Sequence, residues 1–89
     1  MKTEYSPAFI KVLKALMGST AFDRVKKLAF EEVPRVIVLN DLKGLKRFRG
    51  PEEAYRIRIG DYRGGFFLNG QTVVFARVLH RKEIYRYFP

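Results

Sequence analysis

The chain has no cysteine and a single histidine among its 89 residues. Without cysteine, neither a disulfide framework nor a thiolate metal site can form. One histidine excludes a multi-histidine metal centre. No metal and no other cofactor is therefore expected. Long apolar runs are missing too: none approaches the roughly 18 residues of a membrane span. The N-terminus lacks a charged segment leading into an apolar stretch and a small-residue cleavage site, so no signal peptide is expected. There is no internal repeat, no low-complexity segment and no linker. These absences predict a soluble, cytoplasmic protein with no membrane partner.

What is present supports an ordered core: 47% hydrophobic and 15% aromatic residues. The length suits one domain over residues 1–89, with a core that holds without staples. The net charge is +9 and the pI about 10.2. That sign and size point to nucleic acid, an acidic protein or an anionic membrane as partner. The charge is uneven. Residues 1–42 hold seven Lys/Arg against five Asp/Glu, whereas residues 43–89 hold eleven against four. The anion-binding surface is expected in the second half.

Local signals divide the chain. Met1 to Tyr5 suits an edge strand. Ser6-Pro7 reads as a helix start, with Ser as N-cap and Pro at the first helical position. Phe9, Val12, Leu13 and Leu16 then mark one helical face, and Gly18 ends it. Thr20 is the expected cap of a second helix, with Asp23 closing an imperfect capping box. Phe22, Val25, Leu28 and Ala29 form its stripe, and Pro34 is expected to stop it near Val33. Val36 to Leu39 is too short to assign. Leu42 to Gly50, "LKGLKRFRG", reads as a basic, partly ordered loop leading to the sheet. From Tyr55 onward the period of two and the turn dipeptides predict antiparallel strands. Gly60-Asp61 and Asn69-Gly70 are the expected two-residue turns.

Those turns set registers. Across Gly60-Asp61, Ile59 faces Tyr62, Arg58 faces Arg63 and Arg56 faces Gly65. Arg56, Arg58 and Arg63 then share one face, while Tyr55, Ile57, Ile59, Tyr62, Phe66 and Leu68 cover the helices from the other. Across Asn69-Gly70, Phe66 is expected opposite Val73, Gly64 opposite Phe75, and Ala76 beside Arg63. Directly opposed like charges destabilise a sheet by a few tenths to about 1 kcal/mol. A bridging anion would explain the pair, with Gly65 as a hollow for a phosphate backbone. The other reading is that the arginines point to water or pair with Glu52, Glu53 and Asp61. In the tail, "VLHRKEIYRYFP", basic groups interleave with aromatics. That mixture suits single-stranded nucleic acid. Alternatively Tyr85, Tyr87 and Phe88 fold back over the core, Phe88 above all.

"YRIRIGDYR" (55–63), then "TVVFARV", then "LHRKEIY" (79–85), together resemble the RelE/ParE superfamily of bacterial toxins in order and spacing. The two helices and "LKGLKRFRG" are similar as well. The resemblance implies an α+β fold, with an N-terminal helical hairpin packed on one face of a small twisted antiparallel β-sheet. It implies the toxin of a type II toxin–antitoxin system, with two branches. One cleaves mRNA in the ribosomal A site; the other poisons DNA gyrase. Either is held by a cognate antitoxin, here of RelB type and partly disordered when free. The positions matching the nuclease branch are Arg56, Arg58, Arg63, Arg81 and Tyr85, which favours an mRNA endoribonuclease that inhibits translation at the ribosome. His80 stands where relatives often carry histidine or lysine. Arg56 and Arg58 replace lysines of RelE, and an arginine effectively keeps its proton, which speaks against a general-base role at both. Gly64-Gly65 replaces residues that are usually apolar. The chain stops at Pro89 without the C-terminal helix of some members.

Metal-free cleavage uses the ribose 2′-hydroxyl as nucleophile. It needs a base, a cation cluster for the phosphorane and an acid for the 5′ oxygen. Arg58 and Arg63 suit the cluster, with Arg56 behind and Arg81 on the leaving-group side. Tyr85 is a candidate for the base and His80 for base or acid, the resemblance favouring Tyr85; Glu83 could serve instead but is expected to pair with Lys82 or Arg86. Arg56 with Lys43, Lys46 and Arg47 is expected to hold the RNA backbone, joined by Arg49, Lys82 and Arg86. Open alternatives are a gyrase inhibitor, a non-catalytic RNA-binding module and a decayed toxin kept as a repressor partner.

Overall fold

A computed structural model describes residues 1–89. Strand β1 (Lys2–Tyr5) opens the fold and helix α1 (Pro7–Ala15) follows. Ser6 is extended, and its Oγ accepts from the Phe9 N–H at 3.1 Å. Pro7, lacking an N–H, takes the position where none is needed. Helix α2 (Thr20–Lys27) is capped one residue earlier than expected. Ser19 is the extended residue, and its Oγ accepts from the Phe22 N–H at 3.1 Å. Asp23 therefore falls beyond the capping-box position, and its charge merely favours the positive end of the helix.

Pro34 does not end this helix. A proline inside an α-helix donates nothing and clashes with the carbonyl four residues back. The chain avoids the clash by widening into a π turn, Leu28–Glu32, in which Val33 N–H reaches the Leu28 carbonyl. A last turn, α3 (Val33–Arg35), then carries Pro34. In the widened ladder the Ala29 carbonyl would face the hydrogen-less Pro34 nitrogen. It receives the Tyr5 hydroxyl instead, at 2.6 Å. Burial raises the Tyr5 pKa above its ordinary 10.0. Tyr5 also stacks on Phe30 at 4.2 Å and on Phe75 at 5.9 Å. The segment 36–39, unassigned from the pattern, is extended at Val36 and Val38 before a 3-10 turn at Leu39–Asp41.

The sheet contains β2 (Leu45–Arg47), β3 (Ala54–Ile59), β4 (Tyr62–Asn69) and β5 (Thr72–His80), in the order β1-β5-β4-β3-β2. The α+β class stands, with three corrections. The sheet is mixed, because β1 runs parallel to β5. An N-terminal helical hairpin does not open the fold: a strand does, and α1 then lies mainly against β5. The basic segment expected as a loop is partly strand, Leu45 pairing with Ile57 and Arg47 with Tyr55. Leu45 and Phe48 tuck against the two apolar clusters and so hold this edge in place.

The β3–β4 register is the expected one, with Arg58 opposite Arg63 and Arg56 opposite Gly65. The β4–β5 register is not. Asn69 pairs with Thr72, so the turn is Gly70-Gln71 rather than Asn69-Gly70. Gly60 and Gly70, both at φ 62°, are the first residues of their loops, and no non-glycine residue has positive φ. That is the type II′ pattern, with glycine first. Phe66 thus faces Phe75, not Val73, and Gly64 faces Val78.

A bulge follows. Phe66 pairs with Phe75 but Gly65 pairs with Arg77, leaving Ala76 as the extra residue. Ala76 is therefore not beside Arg63; Leu79 is. Two bonds from Ser6 hold the bulge: its N–H to the Phe75 carbonyl at 2.8 Å and its Oγ to the Ala76 carbonyl at 2.8 Å. The core between helices and sheet includes Phe9, Val25, Val33, Ile57, Phe66 and Phe75, all fully buried. A second cluster forms on the opposite face. There Ile84 of helix α4 (Ile84–Tyr87) and Phe88 pack on Ala54, Phe67 and Leu79. The C-terminus is thus helical, contrary to expectation, because Ile84 and Phe88 are four residues apart and bury together. No helix is long and apolar enough to cross a membrane.

Ser6→Ala removes the α1 cap and leaves the Ala76 carbonyl unbonded, so it is expected to cost about 1–3 kcal/mol, read from the urea midpoint. A loss under half a kcal/mol would show that the bulge needs no pin. Tyr5→Phe keeps the ring stack but strips the Ala29 carbonyl of its donor, at a cost of about 1–2 kcal/mol near neutrality. Because the folded-state pKa of Tyr5 is raised, its contribution is complete below pH 10 and fades as pH rises through the folded value. The stability gap between wild type and Tyr5→Phe should shrink above pH 10; a constant gap would contradict this.

Candidate nucleic-acid interface

Alternation along β3, β4 and the second half of β5 sends one set of side chains to the face away from α1 and α2. In one row across four strands, Lys46 stands beside Arg56, Arg56 beside Gly65, and Gly65 beside Arg77. In the next row Arg58 stands beside Arg63, and Arg63 beside Leu79. A groove of about 220 Å³ is lined by Gly44, Leu45, Lys46, Arg56, Arg58 and Arg63.

The Gly60-Asp61 turn organises two of these cations. Arg63 Nη1 donates to the Gly60 and Tyr62 carbonyls, each at 2.8 Å. The Arg81 N–H donates to the Asp61 carbonyl at 2.8 Å, which ties the end of β5 to the same turn. Burial, and then the charges of Arg56, Arg58 and Arg81, lower the Arg63 pKa, while Tyr85 raises it. Arg56, Arg58, Arg63, Arg81 and Tyr85 therefore form one electrostatic cluster. The guanidinium of Arg56 lies 5.1 Å from the centre of the Tyr85 ring, and Tyr85 is 65% exposed, so its outer face is free.

No carboxylate neutralises the cluster. The one ion pair of the chain joins Arg86 to Glu83 at 3.8 Å. Pairing with Glu52, Glu53 or Asp61 does not occur. Nor do three His, Asp or Glu side chains gather anywhere to hold a metal ion.

Three expected features fall elsewhere. His80 pairs with Tyr62 across β4–β5, on the helix side of the sheet. Its ring meets Tyr62 edge-on at 5.6 Å, and its Nδ1 accepts from the Lys82 N–H at 3.2 Å. The hollow at Gly65 is filled: a Cβ there would lie 2.7 Å from Phe88 Cδ2. Arg47 pairs with Tyr55 and so leaves the arginine face, exposed at the edge. Lys43 and Arg49 flank β2 and, like Lys82 after β5 and Arg86 on α4, are exposed at the rim. Arg77 was missed. The strand pattern places it with Phe75 on the apolar face, and only the bulge turns it out. Its guanidinium lies 5.9 Å from the Tyr87 ring, and its Nε is buried without a hydrogen-bond partner.

By fold and site this is a small protein with an unneutralised cationic sheet face edged by aromatics. Residues 3–85 match the profile of the ParE toxin of type II toxin–antitoxin systems, parDE. Toxin RelE3 of Methanocaldococcus jannaschii is 47% identical over 90 residues, covering 100% of both chains. A chain of the RelB–RelE antitoxin–toxin complex from Methanococcus jannaschii is 45% identical with a TM-score of 0.76, over 97% of this chain and 99% of that one. A chain of the toxin–antitoxin complex RelBE2 from Mycobacterium tuberculosis shares the fold, with a TM-score of 0.69 at 24% identity, over 90% and 96%. The chain belongs to the RelE/ParE family, the toxins of type II toxin–antitoxin systems.

Gly65→Ala drives a methyl group into the Phe88 ring, 2.7 Å from its Cδ2, so the ring must shift. It is expected to cost about 1–3 kcal/mol, lowering Tm by on the order of 5–20 °C. Near-UV circular dichroism should report loosening of α4. An unchanged Tm would show that α4 is not seated on this glycine.

Proposed function

We propose that the protein is a metal-independent endoribonuclease that cuts mRNA in the ribosomal A site and is silenced in the cytoplasm by a RelB-like antitoxin. The observation that carries this reading is the convergence of four arginines and a tyrosine on one sheet face with no carboxylate among them. The 2′-hydroxyl attacks the adjacent phosphorus, the bond to the 5′ oxygen breaks, and a 2′,3′-cyclic phosphate remains. Arg58 and Arg63 neutralise the phosphorane. Arg81 serves the leaving-group side. Arg56 holds Tyr85 by its ring; the Tyr85 hydroxyl oxygen takes the 2′ proton as its own proton passes to water, and the departing 5′ oxygen, its charge met by Arg81, takes a proton from water. Geometry supports Tyr85 over His80, since His80 lies on the helix side of the sheet. Lys46 lines the groove beside the cluster and Lys43, Arg49, Lys82 and Arg86 surround it, so these five hold the flanking backbone.

Arginines do not act as bases near neutral pH, and no strong base faces the cluster. The ribosome therefore supplies the alignment of the RNA, and proximity supplies most of the rate. The antitoxin partner is supported by the similar solved chains, which come from toxin–antitoxin complexes. A net charge of +9 calls for an acidic partner segment that orders on binding.

The test is controlled expression in a bacterial host, with new 5′ ends mapped on ribosome-bound mRNA. Cuts within translated codons are expected, and an Arg63→Ala, Tyr85→Ala double variant should abolish them. Growth arrest with intact mRNA would move the target to gyrase. Neither arrest nor cuts would leave a binding module on this fold. Purified protein should cleave naked RNA little or not at all; fast ribosome-free cutting would refute the assigned division of labour.

A further inference from the structure

The arginine face does not end at the groove. Helix α4 sits astride β4 with Phe88 over Gly65, and the row beneath it carries a cation on each side. On the β3 side, Arg56 lies against Tyr85 at 5.1 Å. On the β5 side, Arg77 lies against Tyr87 at 5.9 Å. Two arginine–tyrosine pairs thus flank one phenylalanine, about 10 Å apart at the backbone, or two strand spacings.

The second pair has no structural need that accounts for it. Arg77 reaches this face only because the bulge at Ala76 reverses the alternation of β5. It has no carboxylate partner, since the one ion pair is Arg86 with Glu83. Its Nε is buried and unbonded, a donor without an acceptor, and such groups are rare and costly in folded chains. Tyr87 is 53% exposed, which leaves its ring open on one side. A guanidinium with no carboxylate partner beside an open aromatic ring is the pair of features that single-stranded RNA recognition requires. The guanidinium binds phosphate oxygens and the ring stacks a base.

We infer that Arg77 and Tyr87 form a second nucleotide subsite, which grips the RNA strand one step beyond the Arg56–Tyr85 site. Arg77 takes the phosphate and Tyr87 the base. This deepens the nuclease reading and rests on it for the identity of the substrate. The subsite contributes to holding RNA and not to the chemical step, because it lies across Phe88 from the cluster around Arg63.

The test uses the full chain and a fluorescein-labelled, mixed-sequence single-stranded RNA bearing 2′-O-methyl groups throughout, which cannot be cut. Binding is read by anisotropy between 50 and about 200 mM salt. Arg77→Gln should weaken binding about tenfold and lower the salt slope by about one. Arg77→Lys should restore the slope but not the full affinity. Tyr87→Ala should weaken binding by about five- to tenfold and leave the slope unchanged. In ribosome-dependent cleavage the same variants should raise KM and spare kcat. Affinities within twofold of wild type would overturn the subsite. So would a fall in kcat at constant KM, since Arg77 would then act only by holding α4. Arg77-dependent binding with intact mRNA on expression would keep the subsite and sink the nuclease reading. Cleavage indifferent to Arg77 and Tyr87 would do the reverse. A wild-type chain that neither binds nor cuts RNA would overturn both.

Discussion

The bulge at Ala76 is the constraint on which the functional face depends. Side chains along a strand alternate with a period of two, so one extra residue reverses every position beyond it. Phe75 faces the helices. Continued alternation would send Arg77, Leu79 and Arg81 to the same apolar side, and Val78 to the other. The bulge reverses this: Val78 is fully buried in the helix-side core, and Arg81 joins Arg56, Arg58 and Arg63. Ser6 holds it through two bonds while its hydroxyl caps α1. One serine therefore couples the start of the first helix to the alternation of β5, 70 residues away.

Concentrating cations on one face opposes folding, and the chain counters this with dipoles rather than carboxylates. The Gly60 and Tyr62 carbonyls accept from Arg63, and Tyr85 offers its ring to Arg56. Carbonyls and rings are neutral, so they hold a guanidinium in place without cancelling its field. A carboxylate would steady the arginine equally well and would also cancel its charge. That difference separates a cationic surface built for binding from one that is merely solvated. It also explains the sparse use of Glu52, Glu53 and Asp61, which remain exposed and unpaired.

Much of this was legible in the chain. The strand-initial turn, Gly60-Asp61, fixed the opposition of Arg58 and Arg63, and Ser6-Pro7 marked the first helix. What escaped was set by contacts distant in sequence. A bulge has no local signature here; it arises because Ser6 is available to satisfy the Phe75 and Ala76 carbonyls. Without it, plain alternation puts His80 on the arginine face and Arg81 on the helix side, the reverse of what the structure shows. Asn69-Gly70 is an expected turn by composition, but that placement needs Asn69 at positive φ, and the chain uses Gly70 as the first loop residue instead. Gly65 read as a place for a ligand because nothing in the local sequence says that Phe88, 23 positions on, fills it. The π turn before Pro34 was invisible for the same reason, since Tyr5 supplies the bond that makes it tolerable.

The cluster that seats α4 has three buried residues, Ala54, Ile84 and Phe88, against twelve in the main core. A one-turn helix has almost no stability of its own, so α4 depends on that small cluster and on the rings of Phe48 and Phe67 packed against it. Local opening follows such differences in buried area. The helix that carries Tyr85 is therefore the element most readily released while the rest of the sheet stays folded. An anion bound between the arginines and the tyrosines would tie α4 down, because it contacts both the sheet and the helix. Binding and ordering of the site are then the same event, and a substrate that spans the face is favoured over one that touches only the groove.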